Sequence, residues 1–465
     1  GINILGGYSM QEKVYDNSSI GARNFVDDTI RELSAHGTAP GDSWGDTDKF
    51  DWAMMSVFGR VVYSWKDRYT FTGSLRGDGS SRFGKDNRWG MFPSVALGWN
   101  ISNEDFWTNH IGENFGAKLR VSWGISGNNN IGNYEHVGYM SDLGGYVLGG
   151  QIVPTRYPSA FVDNLLGWEK TDQYNVGMDL SFLRNRITLS ANYYNSISND
   201  LLFNKPVSAI AGATQYKSNL SNAKIRNTGF DIQVDGRILT GVVNWNIGAN
   251  LSLNRNKVLS LPDSQSMVSI GERSAISHIT MVGKPIGSFY GLNSLGVISE
   301  EEYQRILVDK QHIGEEGYQL TGPAVWNYEN VQPGDAKWKD VNNDGKITDD
   351  DREILGDNYP DFTYGFSTNI SYKGLSLSAS FSGVQGAQVI SFQNYYLLNM
   401  EGTCNQFALA ADRYNAVTNP NPAMYRANIA TTTTATSAAT TTTTEEPQTT
   451  TATEATVHYP SRRTL

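Results

Sequence analysis

The stretch DVNNDGKITDDD, from Asp340 to Asp351, is the part of the chain richest in residue types that bind metals. Its spacing matches the calcium loop of an EF-hand, in which oxygen ligands stand at positions 1, 3, 5, 7, 9 and 12 and a glycine makes the sharp turn at position 6. Gly345 holds the sixth position and the apolar Ile347 the eighth. The predicted ligands are Asp340, Asn342, Asp344, the backbone carbonyl of Lys346, Thr348 and Asp351.

Two features of this loop differ from a calcium sensor. Position 12 is Asp351, whose side chain is shorter than that of the usual bidentate Glu and reshapes the coordination. The preceding segment GPAVWNYENVQPGDAKWK has glycine and proline breaks and no helical periodicity, so the helix–loop–helix frame is missing. We therefore expect a structural Ca²⁺ and not a switch. The alternative interpretation is an acidic turn that water solvates.

Composition excludes several classes of protein. The net charge of −10 argues against a nucleic-acid partner, because phosphate binding requires a basic surface. One cysteine, Cys404, rules out a disulfide framework within this chain, and the six histidines show no metal-binding spacing. No apolar run is long enough for a transmembrane helix. We also predict no catalytic residues and no organic cofactor, since carboxylate pairs such as Glu300/Glu301 have no nucleophile or acid–base partner.

Period-two alternation of apolar and small polar residues recurs along the chain and predicts long β-strands. In YNVGMDLSF, for example, one face carries Tyr174, Val176, Met178, Leu180 and Phe182, and the other carries Asn175, Gly177, Asp179 and Ser181. The polar face is neutral and small, and tryptophan and tyrosine lie near strand ends, as at Trp65, Tyr69 and Trp99. Long strands with an apolar face and aromatic girdles are typical of an outer-membrane barrel. A soluble β-sandwich is the alternative that also alternates.

The connections between these strands are of two kinds. Short turns are predicted at Lys66-Asp67-Arg68, Leu183-Arg184-Asn185, Leu239-Thr240-Gly241 and Lys373-Gly374. Long connections are predicted at 127–172, 197–226 and 255–360. Short turns at one end and long loops at the other are again typical of a membrane barrel, so we predict an all-β fold, a large antiparallel transmembrane β-barrel with short periplasmic turns and long extracellular loops.

Several long blocks resemble the SusC/RagA-type TonB-dependent transporters of Bacteroidota. They include YTFTGSLRGDGSSRFGKDNRWGMFPSVALGWNISNEDFW (69–107), KLRVSWGISGNNNIGNY (118–134) and PGDAKWKDVNNDGKITDDDREILGDNYPDFTYGFSTNISYKGLSLS (333–378). The resemblance covers roughly 57–400. It implies a 22-stranded outer-membrane barrel with a plug domain and TonB box. It further implies a SusD-like surface lipoprotein that captures oligosaccharides or peptides, energy from the TonB–ExbB–ExbD complex, and contact with outer-membrane lipids.

The resemblance also divides the chain. We expect residues 1–56 to form a partial barrel strand and an outer loop, and residues 57–426 to form the C-terminal part of the barrel. The opening GINILGGYS has no basic n-region, so no signal peptide is predicted. The resemblance implies that the chain begins inside the barrel, without plug or TonB box. Residues 427–465 are a Thr/Ala-rich low-complexity tail. That tail is either a disordered stalk or the product of a reading-frame shift near 430–440, and translation of the other frames decides between them.

The overall expectation is a glycan importer of the SusC type that works with a SusD-like lipoprotein. A calcium-binding surface β-protein, an adhesin or lectin, is the alternative from another class, and the RGD at Arg76–Asp78 is its weakest support. The arginines Arg60, Arg76 and Arg120 are predicted to face the lumen and stabilise the wall or contact a plug. The acidic loop lies just before the strand Phe362–Tyr372 and is predicted to be extracellular, where a cation stiffens the outer rim.

Overall fold

The computed structural model describes residues 1–427 with internal gaps. The residues outside the described set are 26, 28, 30, 31, 113, 139, 143, 144, 154, 155, 159, 160, 207–214, 263–266, 271–275, 314, 316, 399, 401–404, 421, 423 and 428–465. Cys404 and all of the predicted tail except residue 427 therefore lie outside the described residues. No helix of the described part is long and apolar enough to cross a membrane.

The chain divides into two compact units. The first comprises Gly1–Gln265 and Pro360–Gly386, and the second comprises Ser266–Tyr359 and Ala387–Leu465. The second unit is therefore inserted in the chain between two strands of the first, and continues after the last of them.

The first unit is built on one antiparallel sheet of 11 strands. Each strand pairs with the next large strand along the chain, which is the up-and-down order expected of a barrel wall. The strands are β1 (Ile2–Ala22), β2 (Ser43–Trp65), β3 (Tyr69–Ser80), β4 (Trp89–Asn100), β5 (Phe115–Asn128), β10 (Glu169–Phe182), β11 (Ile187–Pro206), β12 (Gln215–Leu239), β13 (Val243–Ser260), β20 (Phe362–Tyr372) and β21 (Leu375–Gln385). The outer edges of the sheet, β1 and β21, do not pair with each other, so the described sheet is part of an unclosed barrel.

The two faces of this sheet differ in chemistry, as the alternation predicts. Along β2, Met55, Val57, Val61, Tyr63 and Trp65 are between 41% and 56% exposed on one face. The intervening residues include the fully buried Ser56 on the other face. An apolar band left open to solvent over this length is what a hydrocarbon-facing strand requires.

The short turns confirm the predicted hairpins. Lys66 and Asp67 join β2 to β3 with φ values of 51° and 54°, and Lys373 and Gly374 join β20 to β21 with φ values of 43° and 91°. Successive left-handed residues twist a tight turn in the sense that strand twist requires. The third turn on this side, Leu183–Asn185, is left-handed throughout. A short helix, α1 (Asp105–His110), lies in the longer β4–β5 connection at this end.

One predicted connection is wrong in length. The alternation stops near residue 197, which predicts a loop to 226, but β11 continues to Pro206 and β12 begins at Gln215. The two strands pair throughout this stretch, with a register shift between Asn199 and Leu201. Where a hairpin rises out of the membrane, its strands need not alternate, and a bulge also breaks the period. The loop at 127–172 also holds short strands, β6 (Met140–Asp142), β7 (Tyr146–Leu148), β8 (Gln151–Val153) and β9 (Arg156–Pro158).

The second unit is a small α+β structure. Its strands are β14 (Met267–Ile270), β15 (Ile276–Thr280), β16 (Ser288–Gly291), β17 (Ser294–Val297), β18 (Ala336–Trp338) and β19 (Glu353–Gly356), and its helices are α2 (Glu300–His312) and α3 (Phe392–Leu397). Four of the strands form a sheet in the order β14-β15-β16-β19, and β17 pairs with β18 in a second sheet. Helix α2 starts with a capping box between Ser299 and Glu302. Ile298, Ile306 and Val325 form a small apolar core beneath it.

Candidate functional site

The acidic loop of the second unit is wound as its sequence predicts. The Asp340 carboxylate accepts the backbone N–H of Asn343 at 2.7 Å and that of Gly345 at 2.9 Å. The side chain of Asn342 accepts the N–H of Asp344 at 3.0 Å. The Asp344 carboxylate accepts the N–H of Lys346 at 2.8 Å. These turns arrange three side chains with oxygen ligands around one bend of the chain.

Gly345 is required by both backbone and space. Its φ is 83°, in the region that favours glycine. A Cβ at this position would lie 2.3 Å from Leu320 Cδ1. The glycine at position six therefore keeps the bend tight against its neighbour.

The loop is fastened to the rest of the second unit on its apolar side. Ile347 is 2% exposed and packs with Leu292, Ala324 and Trp338. The Tyr328 hydroxyl donates to the Gly345 carbonyl at 2.8 Å. Burial, together with the nearby charges of Asp309, Asp340 and Asp344, raises the pKa of Tyr328 to about 12. Tyr328 thus stays a neutral donor at any physiological pH.

Asp351, the predicted twelfth ligand, is fully buried and engaged with the backbone. It accepts the N–H of Val341 at 2.8 Å and that of Thr348 at 2.7 Å. Burial alone would raise the pKa of Asp351, but the backbone donors outweigh burial and lower it below the ordinary value. Asp351 therefore ties the two ends of the loop together as a carboxylate.

The donor set is one that a hard cation prefers, since carboxylate, amide and carbonyl oxygens are calcium ligands. Within the described residues, however, no group of three or more His, Cys, Asp or Glu side chains converges as a metal site does. Asp340 and Asp344 stand at the loop's partly exposed side, while Asp351 faces the backbone. The calcium site stays a prediction, with Asp340, Asn342, Asp344 and the Lys346 carbonyl as its most accessible donors.

The polar face of the large sheet carries a second candidate constellation. Arg120 on β5 makes a bidentate pair with Asp179 on β10, with both bonds at 2.7 Å. The same guanidinium donates to Asn192 on β11 at 3.0 Å. The Asp179 carboxylate also accepts from Ser190 at 2.8 Å. This network cross-links three strands of the wall and borders a cavity of about 470 Å³ near the short-turn end.

The other two predicted lumen arginines are on the same face. Arg76 pairs with Asp78 at 2.7 Å and donates to Ser56 at 2.9 Å. Arg60 is exposed and lies between Leu5 and Ser74 in the sheet register. Asp78 of the RGD tripeptide is only 6% exposed and bound to its own Arg76, so the tripeptide is not displayed for an adhesion receptor.

Known proteins resemble the chain in both sequence and fold. The family described as "TonB dependent receptor-like, beta-barrel" matches residues 6–288, more than half of the chain. The chain belongs to the TonB-dependent receptor β-barrel family. Its barrel wall is therefore an outer-membrane structure, and the family is one of transporters and not of enzymes.

Individual relatives agree with this assignment. TonB-dependent receptor P3 of Formosa agariphila is 31% identical over 432 residues, which cover 90% of this chain and 40% of that protein. TonB-dependent receptor SusC of Bacteroides thetaiotaomicron is 32% identical over 340 residues, which cover 70% of this chain and 30% of SusC. The structure of the RagAB peptide transporter matches with a TM-score of 0.70 at 24% identity, over 92% of this chain and 44% of that one. The chain thus spans less than half the length of these TonB-dependent receptors.

The sequence does not predict two residues that hold the second unit together. Asp309 on α2 is 1% exposed and accepts from Tyr318, Thr321 and Gly322, and Tyr328 holds the acidic loop. The signal for Asp309 was weak, since an aspartate within a helix is normally solvated. The one sequence signal for its burial is its spacing, three residues after Ile306 on the same face of α2.

Proposed function

We propose that the chain is the barrel portion of a SusC-type importer, which takes up oligosaccharides across the outer membrane together with a SusD-like lipoprotein. The TonB–ExbB–ExbD complex supplies the energy, through the plug domain that the SusC-type resemblance implies. The observation that carries the proposal is the 11-stranded wall with a lipid-facing apolar face and an arginine-braced polar face, in a family that includes SusC.

Peptides are the second substrate class to consider, because the RagAB structure is that of a peptide transporter. The fold likeness at 24% identity does not carry a substrate with it. The surface adhesin or lectin of the other class is disfavoured, since a continuous exposed apolar band such as that of β2 is rare on a soluble monomer.

The experiment is a deletion of the gene for this protein in the bacterium that encodes it. We expect uptake of labelled neutral oligosaccharides to fall to background in the deletion strain and to return on complementation. A protonophore should abolish the uptake in the parent strain, because TonB-dependent import needs the proton gradient. Affinity purification from the outer membrane should recover a surface lipoprotein.

Uptake of peptides but of no oligosaccharide would contradict the glycan substrate and leave the importer class intact. Unchanged uptake of both classes in the deletion strain would contradict the importer itself.

We further propose that the loop Asp340–Asp351 binds one structural Ca²⁺. The donor set described above supports it, and the tight turns already present mean that the ion needs little rearrangement of the backbone. When bound, the ion neutralises part of the loop's charge.

A further inference from the structure

The inward face of the β1–β2 hairpin carries a cluster of aromatic rings at its far end, beyond the stretch that holds Ser56 and Arg60. The register of β1 and β2 is unbroken from Ile2 opposite Tyr63 to Ala22 opposite Ser43, so the faces do not exchange along it. Ser56 bonds to Arg76 on the polar face, which fixes that face as the inner one. The same face, followed away from the short turn, presents the aromatic patch: Tyr15, Trp44, Phe50 and Trp52.

The rings of the patch are held but not covered. Tyr15 and Phe50 stack across the hairpin with centroids 4.6 Å apart and planes 17° apart. Tyr15 is 38% exposed and Trp44 is 53% exposed. The Arg82 guanidinium lies 4.9 Å from the Trp52 ring and is itself fixed by a bond to Asn133 at 3.1 Å.

The opposite face of the same stretch shows that the patch stands outside the hydrocarbon layer. Asp16 and Lys49 face each other there at 3.5 Å, and both side chains are about two-thirds exposed or more. A charge on the lipid face costs on the order of 2–4 kcal/mol at mid-membrane. The apolar band of β2 runs from Trp65 to Met55, and this stretch lies beyond it, at the end from which the long connections leave.

The polar neighbours of the rings suit a neutral polyhydroxyl ligand. Asp46, Asp48 and Asn17 share the face with the patch, with Asp48 directly opposite Asn17. The two carboxylates are matched by two cations, Lys13 opposite Trp52 and Arg82 above it. A sugar ring has an apolar face that packs on aromatic rings and hydroxyls that bond to carboxylates and amides. A peptide that carries many charges of one sign would be repelled by the two groups of the same sign at this patch.

We propose that the aromatic patch is an oligosaccharide subsite at the mouth of the barrel, where the flat faces of Tyr15, Phe50 and Trp44 stack on sugar rings before translocation. This proposal rests on the proposed function and adds to it the place of contact. It makes these residues specificity determinants, with no role in energy coupling.

The test introduces Tyr15→Ala together with Phe50→Ala into the chromosomal gene and measures uptake of a panel of neutral oligosaccharides of four to eight sugar units. We expect the concentration for half-maximal uptake to rise about tenfold, which corresponds to the loss of two ring contacts. The maximal rate at saturation should stay within about twofold, since the wall and its energy coupling are untouched. Tyr15→Phe, which keeps the ring, should behave as the parent.

Ile20→Ala is the matched control, because Ile20 is 70% exposed on the opposite face of the same hairpin extension. Trp44→Ala serves if the double variant fails to accumulate in the outer membrane, because this half-exposed ring contributes little packing. If the concentration for half-maximal uptake is the same in the patch variants as in Ile20→Ala, the subsite is overturned. The proposed function still stands in that case, provided that the strains take up oligosaccharides. Uptake of no oligosaccharide in the panel by the parent strain overturns both.

Discussion

The substitution Asp309→Asn tests how the second unit is held together. Asp309 Oδ1 accepts from Tyr318 at 2.8 Å and from the Thr321 hydroxyl at 2.9 Å, and Oδ2 accepts the N–H of Gly322 at 2.7 Å. Asparagine keeps the shape and one acceptor oxygen, but its NH₂ group then faces the Gly322 N–H. The change therefore sets two donors against each other in a buried site.

The magnitude follows from these contacts. A hydrogen bond to a charged group contributes about 1.5–3 kcal/mol, and a buried N–H left without an acceptor costs about 1–3 kcal/mol. Since the two effects overlap at one oxygen, we expect the free energy of local opening to fall by about 2–4 kcal/mol. That corresponds to roughly 30- to 700-fold faster exchange of the Gly322 amide hydrogen.

The acid dependence has a definite sign. Burial works to raise the pKa of Asp309, but the N–H donors of Thr321 and Gly322 outweigh it, and the pKa lies below the ordinary 3.8. A depressed carboxylate pKa stabilises the fold fully above the unfolded value and loses this contribution as the pH falls through the folded value. The parent protein should therefore lose protection only below about pH 4, and Asp309→Asn should lack this acid step.

Hydrogen–deuterium exchange of the whole chain, read on peptides that contain 318–322, is the measurement. Asp350→Asn is the control, because Asp350 is exposed in the same unit and carries the same charge. Exchange at Gly322 less than about threefold faster in Asp309→Asn would refute the reasoning, since it would mean that the carboxylate does not fasten this loop.

Three further predictions concern the acidic loop and the barrel wall. Calcium should protect the segment around Asp340 from protease. In Asp340→Asn, the calcium concentration that gives half-maximal protection should rise about tenfold. Protease sensitivity that calcium does not change would contradict the site. Gly345→Ala should destabilise the loop by more than the about 1–2 kcal/mol that a positive φ alone costs, because the added Cβ also meets Leu320. Gly317→Ala, with φ of 85° and open space around it, should show the backbone cost alone in the same thermal melt. Arg120→Met should destabilise the wall by about 1–2 kcal/mol, after allowance for partial exposure, and so lower the temperature at which heat-modifiable migration is lost. Adding Asp179→Leu should restore part of the lost stability. No recovery in the double variant would mean that the pair does not act as a unit.

Residue alternation was enough to predict the wall of the barrel. A strand that faces lipid on one side and a polar interior on the other must alternate, and Lys66–Asp67 and Lys373–Gly374 close tight hairpins with positive φ values. The prediction failed at 197–226, where β11 continues to Pro206 and β12 begins at Gln215, because at the loop end of a long hairpin neither face needs to be apolar. Long blocks of resemblance extended the prediction to the family, and the family match confirms it.

The second unit shows the opposite case. Its sequence between 266 and 359 reads as one long connection, because its strands are short and its core is assembled from residues far apart in the chain. Asp309 accepts the N–H of Thr321, and Asp351 accepts the N–H of Val341. These partners lie ten or more residues away, so the local sequence pattern does not predict either contact.

By itself, the sequence determined the β-architecture, the two faces of the wall and the family, because these follow from local periodicity and extended similarity. Only the tertiary structure decided which arginines are braced, as Arg120 is by Asp179, and which rings meet, as Tyr15 meets Phe50. The physical reason is the strand register: it pairs side chains that lie tens of residues apart, and a single sequence carries no direct record of that pairing.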